Sequence, residues 1–431
     1  GRLRGCFAQA QSIVFPPFEQ TMKKPILTTL FIATALGLQA GDWPQWRGPN
    51  RDGISRETGL HQAWPSAGPK RVWLSRDIGI GYSAPVVANG RLFVMGTKGG
   101  KEQLFAKEAK SGKTLWTAEL GGIFNNSWGD GPRGSATVDG AKVFALGAGG
   151  GLICANTADG QVNWRVELTG DLGGETPKWG YSESVLVDGN FVICTPGGDK
   201  GTLAVLDKTT GEVKWRSGDW TDEAQYTSVI PADHNGQRQY IQLTMKTLAG
   251  VSAEDGKVLW RNAWRGRTAV VPTPIFRDGQ VYISSGYGVG CRKITLKAGH
   301  KVVQDYHNRN IKNQHGGVLL HDGHLYGYSD GRGWTCQNFE TGEVVWDSKE
   351  FGKGCVTYAD SRLYCLEESS GTVALASADT AGWKEHGRFK LEPQTEQRKP
   401  AGRVWTHPVV ANGVMYLRDQ ELLFAFDVRA K

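Results

Sequence analysis

The sequence has no apolar run long enough to cross a bilayer. Its apolar stretch from Ile26 to Leu38 falls short of the roughly 20 residues that a transmembrane helix requires. We therefore expect no membrane-spanning segment. A short membrane anchor and a buried helix remain alternatives for this stretch.

The residues around that stretch favour export. Met22 is followed by Lys23 and Lys24, and the apolar stretch ends close to Ala40. A basic start, a short apolar core and a small residue at the end are typical of a secretory signal peptide. We predict a periplasmic or otherwise exported protein. The chain then divides into an upstream extension that is not native (1–21), a Sec-type signal peptide (22–40) and a single mature domain (41–431).

The mature sequence also lacks a concentrated charge of one sign. The whole chain has a formal net charge of +7, which falls to about +4 without residues 1–40. Nucleic-acid binding proteins usually carry a clustered basic stripe, and none is present here. We therefore expect no nucleic-acid partner.

Cysteine is sparse and scattered. No two cysteines are adjacent, and no CxxC, CxxCH or zinc-ligand spacing occurs. Cys355 and Cys365 flank a turn at Ala359 to Ser361, and export would permit a cross-strand disulfide between them. Buried thiols in strands are the favoured interpretation of all six mature cysteines.

The common catalytic motifs are absent as well. No GxSxG, HExxH, P-loop or dinucleotide fingerprint stands in a convincing context. Gly-rich stretches such as 147–151 are interpreted as loops between strands, so these enzyme classes are not supported.

What the sequence does contain is a repeat of about 40 residues, typical of propellers and solenoids. One phrase is a small or apolar strand, a turn with Gly, and a strand that ends in Trp. Its copies end at Trp116, Trp164, Trp215, Trp260 and Trp346.

A second phrase precedes each copy. It consists of two apolar strands joined by Asn-Gly or Asp-Gly, a strong β-hairpin signal, as in SAPVVANGRLFVMG from Ser83. Together the two phrases make four antiparallel strands, which is one propeller blade. Seven complete units are predicted, at 82–120, 131–168, 180–217, 224–262, 269–307, 313–351 and 352–391. The fifth and seventh lack the final Trp.

The last stretch, 403–429, supplies only three strands. KRVWLSRDI, residues 70–78, carries Trp73 where the other units carry their Trp. An N-terminal strand would complete the last blade, close the ring and remove two exposed edges. The predicted fold is therefore all-β, an eight-bladed propeller of four-stranded antiparallel blades closed by an N-terminal strand.

The segment DWPQWRGPNRDG, residues 42–53, precedes that strand. We predict that it is a structural latch across the first and last blades, the start of an N-terminal region (42–78) that also includes the closing strand. Trp43 and Trp46 would anchor it, with two prolines limiting the entropy lost on ordering. A share in a ligand site is the alternative.

The repeated A-x-D-x-x-T-G-x-x-x-W phrase resembles the tryptophan-docking motif of the pyrroloquinoline quinone (PQQ) propeller superfamily. That superfamily includes quinoprotein alcohol dehydrogenases and the outer-membrane assembly factor BamB. WPQWRGPNRDG, GDGPRGSATVDG and NQHGGVLLHDGHLYGYSDGRGW are similar to one branch of exported PQQ-like propeller proteins. The resemblance implies that the repeat tryptophans pack between adjacent blades: Trp73, Trp116, Trp164, Trp215, Trp260 and Trp346.

The departures from the superfamily concern chemistry. Quinoprotein alcohol dehydrogenases clamp PQQ between a tryptophan and a disulfide of adjacent cysteines, and bind Ca²⁺ through carboxylate and amide groups. This sequence has no adjacent cysteines, and no calcium set can be assigned residue by residue. It also has no cysteine at the end of the signal peptide, where BamB is lipidated. The sequence therefore does not identify a metal or a cofactor, and PQQ and calcium remain alternatives.

In a propeller, the segments leading into the inner strands share one face with the loops between second and third strands. Those positions are polar or aromatic here, and charged groups that converge on a channel are costly unless paired or bound. Each of these residues could instead have a purely structural role, in an ion pair or in contact with water in the channel. The candidate ligand residues are Arg133, Trp179, Glu183, Lys246, His315, Asp330, Arg332, Lys353, His407 and Arg418.

Within this set, His315 and His407 are the candidate general bases, because histidine titrates near neutral pH. Arg133, Lys246 and Lys353 could bind anionic groups. The leading hypothesis is a ligand-binding or scaffold protein of the cell envelope, whose partner is a small anionic ligand, a glycan or an envelope protein. The alternatives are a PQQ- or quinone-dependent alcohol or sugar dehydrogenase and a BamB-like assembly factor.

Overall fold

The computed structural model describes residues 41–430, so the predicted upstream extension and signal peptide lie outside the described residues. The described chain folds into eight sheets with a single short 3₁₀ helix, Ala298–His300. No helix in this part of the chain is long and apolar enough to span a bilayer.

Each sheet is a blade of four antiparallel strands, and the sheet of blade 7 has an additional parallel strand, Ile54–Ser55, at its inner edge. In blades 1 to 7 the four strands follow the chain from the inside of the blade to the outside. The two N-terminal strands are β1 (Ile54–Ser55) and β2 (Lys70–Ser75). Blade 1 contains β3 (Val86–Ala88), β4 (Arg91–Lys98), β5 (Lys101–Glu108) and β6 (Thr114–Gly122); blade 2 contains β7 (Thr137–Asp139), β8 (Lys142–Leu146), β9 (Gly151–Asn156) and β10 (Val162–Glu167); blade 3 contains β11 (Leu186–Asp188), β12 (Phe191–Cys194), β13 (Ala204–Asp207) and β14 (Val213–Arg216); blade 4 contains β15 (Ile230–His234), β16 (Gln237–Leu243), β17 (Thr247–Ser252) and β18 (Val258–Ala263).

The second half of the ring repeats the arrangement. Blade 5 contains β19 (Ile275–Arg277), β20 (Gln280–Ser285), β21 (Gly290–Leu296) and β22 (Val302–Asn308); blade 6 contains β23 (Val318–His321), β24 (His324–Ser329), β25 (Gly333–Asn338) and β26 (Val344–Ser348); blade 7 contains β27 (Gly354–Ala359), β28 (Arg362–Glu367), β29 (Thr372–Ser377) and β30 (Glu385–Lys390); blade 8 contains β31 (Val409–Ala411), β32 (Val414–Asp419) and β33 (Leu422–Asp427). The prediction of an all-β, eight-bladed propeller is confirmed.

Blade 8 takes its outer strand from the N-terminal part of the chain. Strand β2 pairs antiparallel with β33, from Lys70 opposite Asp427 to Ser75 opposite Leu423. This pairing covers the outer edge of β33 and makes β2 the outermost strand of blade 8. Buried side chains of blades 8 and 1 then form one apolar cluster, which links the two ends of the ring.

Most repeat tryptophans join a blade to the next one. Five of the six donate the indole N–H to a backbone carbonyl of the following blade, at distances of 2.9 to 3.2 Å. The pairs are Trp73 with Ala109, Trp116 with Thr157, Trp164 with Lys208, Trp215 with Ala253 and Trp346 with Asp379. Trp260 differs, because its indole N–H donates to Gln239 Oε1 of its own blade at 2.6 Å.

The two units without the final Trp reach the next blade with other aromatic residues: Tyr306 stands at the Trp position of blade 5, whereas Phe389 of blade 7 lies two residues after Gly387, which holds that position. In blade 5, the Tyr306 hydroxyl donates to the carbonyl of Phe339 in blade 6 at 3.0 Å. In blade 7, the Phe389 ring lies against Gly68, in the turn before β2, so closely that a Cβ there would be 2.5 Å from the ring. These aromatic rings therefore reach the next blade as the tryptophans do.

The pairing register of β27 and β28 excludes a disulfide between Cys355 and Cys365. Cys355 lies opposite Leu366, and Cys365 lies opposite Val356, so the two cysteines are offset by one residue. All six cysteines of residues 41–430 are free and buried. Burial raises the pKa of the Cys355 and Cys365 thiols, which makes them poor nucleophiles. The interpretation as buried thiols is confirmed.

Candidate functional site

The segment from Asp42 to Ser55 contacts the first and last blades, because Trp43 belongs to the apolar cluster that blades 1 and 8 share, and it extends beyond them to the inner strands of other blades. Trp43 exchanges two backbone hydrogen bonds of 2.8 Å with Val87 of blade 1, and the carbonyl of Pro44 accepts one from Val138 of blade 2. Strand β1 pairs in parallel with β27, the inner strand of blade 7. The inner strands offer unpaired backbone groups to the centre of the ring, and this segment satisfies some of them.

Two arginines extend these contacts to further blades. Arg47 Nη2 donates to the carbonyl of Val318 in blade 6 at 2.6 Å. Arg51 Nη2 donates to the carbonyl of Ser184 at 2.5 Å, just before blade 3. Burial lowers the pKa of both guanidinium groups to about 10. We call residues 42–55 the central segment.

Beside the central segment lies a cavity of about 470 Å³. Its wall comes mainly from the segments that lead into the inner strands of seven blades, with Glu368 from blade 7 and Trp46 and Arg47 from the central segment. Its volume falls within the range usual for small-molecule sites. From the sequence, these segments were predicted to share one face of the propeller. In the structure they line one cavity.

Seven aromatic side chains line the cavity, and Trp405 is in contact with three of its neighbours. Its ring is stacked on His315 with centroids 4.6 Å apart, lies 5.3 Å from Tyr82 and 6.3 Å from Trp128. Trp128 is 46% exposed, which is high for a tryptophan and places its ring at the opening. The seven are Trp46, Tyr82, Trp128, Trp179, Tyr226, Tyr287 and Trp405.

Arg133 brings a positive charge into this aromatic wall. Its guanidinium donates to the carbonyls of Gly129 and Gly131 and lies 5.0 Å from the centroid of the Phe124 ring. No carboxylate of residues 41–430 forms an ion pair with it. Burial lowers the pKa of Arg133, which records the cost of holding that charge away from water.

The carboxylates nearest to Arg133 are engaged elsewhere. Glu102 accepts hydrogen bonds from the backbone of Phe124 and Ala148, at 3.1 and 2.8 Å. Asp130 forms an ion pair with Lys399 at 2.8 Å. Both raise the pKa of Arg133 through space without reaching it, so its guanidinium keeps donors for a further partner.

His315 and His407 both line the cavity, and both are neutral at physiological pH. Burial lowers the pKa of His315 to about 4 and that of His407 to about 3. His407 Nε2 donates to the backbone carbonyl of His315 at 2.8 Å, whereas His315 Nδ1 is buried without a hydrogen-bond partner in the described chain. Such low pKa values are poorly matched to a general base at neutral pH.

Lys353 and Asp330 pair with each other beside the cavity. Lys353 Nζ lies 2.8 Å from Asp330 Oδ1 and donates to Gln314 Oε1 at 2.7 Å. Gln314 lines the cavity, whereas the two charged residues do not. Because Lys353 and Asp330 pair with each other beside the cavity, their charges are not available to a ligand inside it.

Four further predicted ligand residues also lie outside the cavity lining. Glu183 is buried and accepts hydrogen bonds from the backbone and hydroxyl of Thr195 at 2.7 and 2.9 Å. Arg418 of blade 8 is fully buried, and its guanidinium donates to one backbone carbonyl of that blade and to three in or just before blade 1. Lys246 points to solvent, and Arg332 pairs with Asp347 at 2.8 Å near the surface. Of the ten predicted residues, the structure brings together Arg133, Trp179, His315 and His407.

Several cavity residues were not predicted from the sequence. Trp128 belongs to the long loop before blade 2, between two predicted units, whereas Arg403 and Trp405 stand at the start of the last predicted stretch, 403–429, before its first strand. Tyr287 is in a loop of blade 5, with a φ of 56°. Trp405 stands next to the predicted Thr406-His407 pair, and that proximity was the available signal.

The residues present do not fit a calcium–PQQ pair of the dehydrogenase kind. Within residues 41–430, no group of three or more His, Cys, Asp or Glu side chains could hold a metal ion. Glu183 uses both oxygens on Thr195, and Asp330 pairs with Lys353. Calcium usually takes six to eight oxygen ligands. We therefore derive no reaction step through this pair.

An eight-bladed ring with this repeat and a central cavity defines a PQQ-like β-propeller protein. The chain belongs to the family whose sequence model is described as outer membrane protein assembly factor BamB, which matches residues 100–348. A comparison with curated proteins finds no match.

Solved structures share the architecture. The crystal structure of BamB from Moraxella catarrhalis has a TM-score of 0.59 and 15% identity, and covers 85% of this chain and 99% of its own. Quinohemoprotein alcohol dehydrogenase from Comamonas testosteroni has a TM-score of 0.61 and 11% identity, covering 91% and 81%. The computationally designed Ika8 protein has a TM-score of 0.56 and 11% identity, covering 88% and 99%. At such identities the likeness shows the fold alone.

Proposed function

We propose that the protein is an exported, ligand-binding propeller of the cell envelope, and that its central cavity binds a small organic anion with a flat apolar body. The observation that carries this proposal is Arg133, whose guanidinium lies in an aromatic wall without an ion-pair partner in residues 41–430. A partly buried charge is costly unless a counter-charge offsets it. A bound carboxylate would supply that counter-charge.

The aromatic wall supports the apolar half of the proposal. Tyr82, Trp405 and Trp128 succeed one another along one side of the cavity, and Trp179 contacts Tyr226 with centroids 5.7 Å apart. Aromatic faces bind flat apolar groups by stacking or edge contacts, at about 0.5–1.5 kcal/mol beyond the area buried. Because both cavity histidines are neutral, the anion would rely on arginine.

A BamB-like assembly role is the second candidate, favoured by the family to which the chain belongs. It predicts an exposed apolar patch on the loops. Among residues 41–430, the exposed large hydrophobic residues lie on outer strands, with Trp128 the one exception, and Trp128 borders the cavity. The distribution favours binding inside the cavity over docking through the loops.

The test is the melting temperature of residues 41–431 with 3-phenylpropionate, and separately with PQQ, each with and without Ca²⁺. A ligand at about 100 times its dissociation constant stabilises the folded state by roughly 2.7 kcal/mol. We expect stabilisation by at least one probe without Ca²⁺, lost in Arg133→Gln. Arg332→Gln is the matched control, because Arg332 is ion-paired near the surface.

A shift that requires Ca²⁺ would favour the quinoprotein alternative over this proposal. If neither probe stabilises the protein, or if Arg133→Gln responds as the wild type does, the cavity is not an anion site of this kind. Export has its own test. N-terminal sequencing of the secreted chain should begin at Gly41.

A further inference from the structure

Glu368 is a second charged group with a free side in the same cavity. It lies in the loop between β28 and β29, and its Oε2 accepts a hydrogen bond from Trp405 Nε1 at 3.0 Å. Its Oε1 has neither a hydrogen bond nor an ion pair with any residue that the structure describes. Burial raises the pKa of Glu368, as expected for a carboxylate removed from water.

The neighbouring lysine does not neutralise Glu368. Lys353 lies near enough to lower the pKa of Glu368 through space, but its ammonium contacts Asp330 and Gln314. Asp330 and Glu367 also act on Glu368, so three carboxylates and one lysine lie at this side of the cavity. We call Glu368 and Trp405 the acidic pole.

The positive group elsewhere in the cavity is Arg133. It stands before blade 2, three blade positions from Glu368 in blade 7 when counted through blades 1 and 8. Arg403 also lines the cavity, but it lies on the side of the acidic pole, because the neighbouring Val404 donates its backbone N–H to the carbonyl of Glu368, and its guanidinium donates to the carbonyls of Pro400 and Gly402. Between Arg133 and Glu368 runs the aromatic wall formed by Tyr82 and Trp405.

We propose that the ligand is a zwitterion, an α-amino acid or short peptide with an apolar body, whose carboxylate binds Arg133 and whose ammonium binds the acidic pole. The carboxylate half of this inference rests on the proposed function. The ammonium half rests on Glu368 independently. A ligand with both charges would offset two partly buried groups that the protein leaves without ion-pair partners in its described residues.

The surroundings of Glu368 suit an ammonium group. Trp405 donates its indole N–H to the carboxylate, which fixes the carboxylate and leaves Oε1 to accept another donor. An ammonium has three donors and is attracted to aromatic faces such as those of Trp405 and Tyr82. His315, stacked on Trp405, is neutral and adds no repulsion.

Three dipeptides with the same body separate the two charges. We would titrate residues 41–431 with L-alanyl-L-phenylalanine, its N-acetyl form and its C-terminal amide by calorimetry. Charged hydrogen bonds contribute about 1.5–3 kcal/mol, so the free dipeptide should bind roughly 10- to 100-fold more tightly than the N-acetyl form. The amide should bind more weakly than the free dipeptide by a similar factor.

Two variants assign each effect to a residue. Glu368→Gln should reduce the affinity for the free dipeptide to that for the N-acetyl form, without weakening the N-acetyl form. Arg133→Gln should weaken both. Glu396→Gln is the matched control, because Glu396 is exposed in the loop that leads to Trp405 and should change neither.

The outcomes separate the two proposals. If the N-acetyl form binds through Arg133 and the free dipeptide binds no better, the zwitterion inference is overturned and the proposed anion site stands. If none of the three dipeptides binds, the zwitterion inference is overturned, and the test with 3-phenylpropionate decides the proposed function. The wild-type comparison holds even if a variant fails to fold.

Discussion

The imidazole of His315 is stacked on the indole of Trp405, with ring centroids 4.6 Å apart and planes inclined by 25°. The same histidine accepts, at its backbone carbonyl, the Nε2–H of His407 at 2.8 Å. A continuous line of ring contacts and one hydrogen bond thus connects the cavity wall to the central segment, because His407 lies 4.7 Å from Trp46. Because burial lowers the pKa of both imidazoles, protonating either one in the folded state requires a pH well below 6.5.

That requirement predicts a loss of stability in acid. The pKa of His407 falls from about 6.5 to about 3 on folding, so the unfolded chain binds the proton more readily. The stabilisation is complete above pH 6.5 and is lost as the pH falls through that value towards 3. His407→Gln, which keeps a donor for the His315 carbonyl, should reduce the loss between pH 7 and pH 5 by about 1–2 kcal/mol. Urea unfolding of both proteins at several pH values measures this difference. If the free energy of unfolding depends on pH in the same way in both, the low pKa of His407 is contradicted.

Glu183 predicts a pH effect of the opposite sign. Burial raises its pKa to about 7, so the folded state binds the proton more tightly than the unfolded chain does. Its stabilising contribution is complete below pH 4.5 and is lost as the pH rises through 7. Glu183→Gln should therefore stabilise the protein at pH 8 by about 1–3 kcal/mol relative to wild type. Equal unfolding free energies of the two proteins at pH 8 would refute this.

Arg51 tests the central segment. Its guanidinium donates to the carbonyls of Ser184 and Val185. Removing it leaves the buried Ser184 carbonyl without this partner, whereas the Val185 carbonyl keeps the hydrogen bond from the Thr137 hydroxyl. Arg51→Ala should lower the free energy of unfolding by about 2–4 kcal/mol. Arg56→Ala is the control, because the Arg56 side chain is 66% exposed and pairs only with Asp52, which is worth about 0–1 kcal/mol. Similar losses in the two variants, measured by urea unfolding, would argue against a structural role for the central segment.

Gly211 tests the contact between blades 2 and 3. Its φ is +77°, and a Cβ there would be 2.8 Å from the Trp164 ring. Gly236 has nearly the same φ, +76°, but nothing lies within 4 Å of its Cβ position. Gly236→Ala should cost about 1 kcal/mol from backbone strain alone, and Gly211→Ala should cost about 1–3 kcal/mol more from the clash. Thermal unfolding of both variants measures the two losses of stability. Equal losses would mean that the Trp164 ring moves aside without cost.

The architecture could be predicted because it repeats. Each unit carries its own turn glycine and its own aromatic residue, so one misread copy is corrected by the others. The repeat also allowed the units without the final Trp to be identified as blades, as in blade 5, where Tyr306 occupies the position of the tryptophan. Strand order and blade number follow from that local information.

The course of the central segment could not be predicted in the same way. It depends on unpaired backbone groups at the inner edges of several blades, which exist only after the ring has formed. It also needs Arg47 and Arg51 at positive φ, a conformation that arginine rarely adopts. Arg418 shows the converse, since it was predicted on the polar face but is buried between blades 8 and 1, where it donates to the carbonyls of Gln420, Ser83, Met95 and Gly79.

The pairing of β2 with β33 makes closure of the ring depend on the last strand of the propeller. Seven blades separate β2 from blade 8 along the chain, so β2 finds its partner only after all of them have been synthesised. A prematurely terminated product would leave β2 unpaired and expose the strand edges on either side of the gap. Such a product would be open to proteolysis and aggregation, which gives quality control a means to distinguish it from the finished protein.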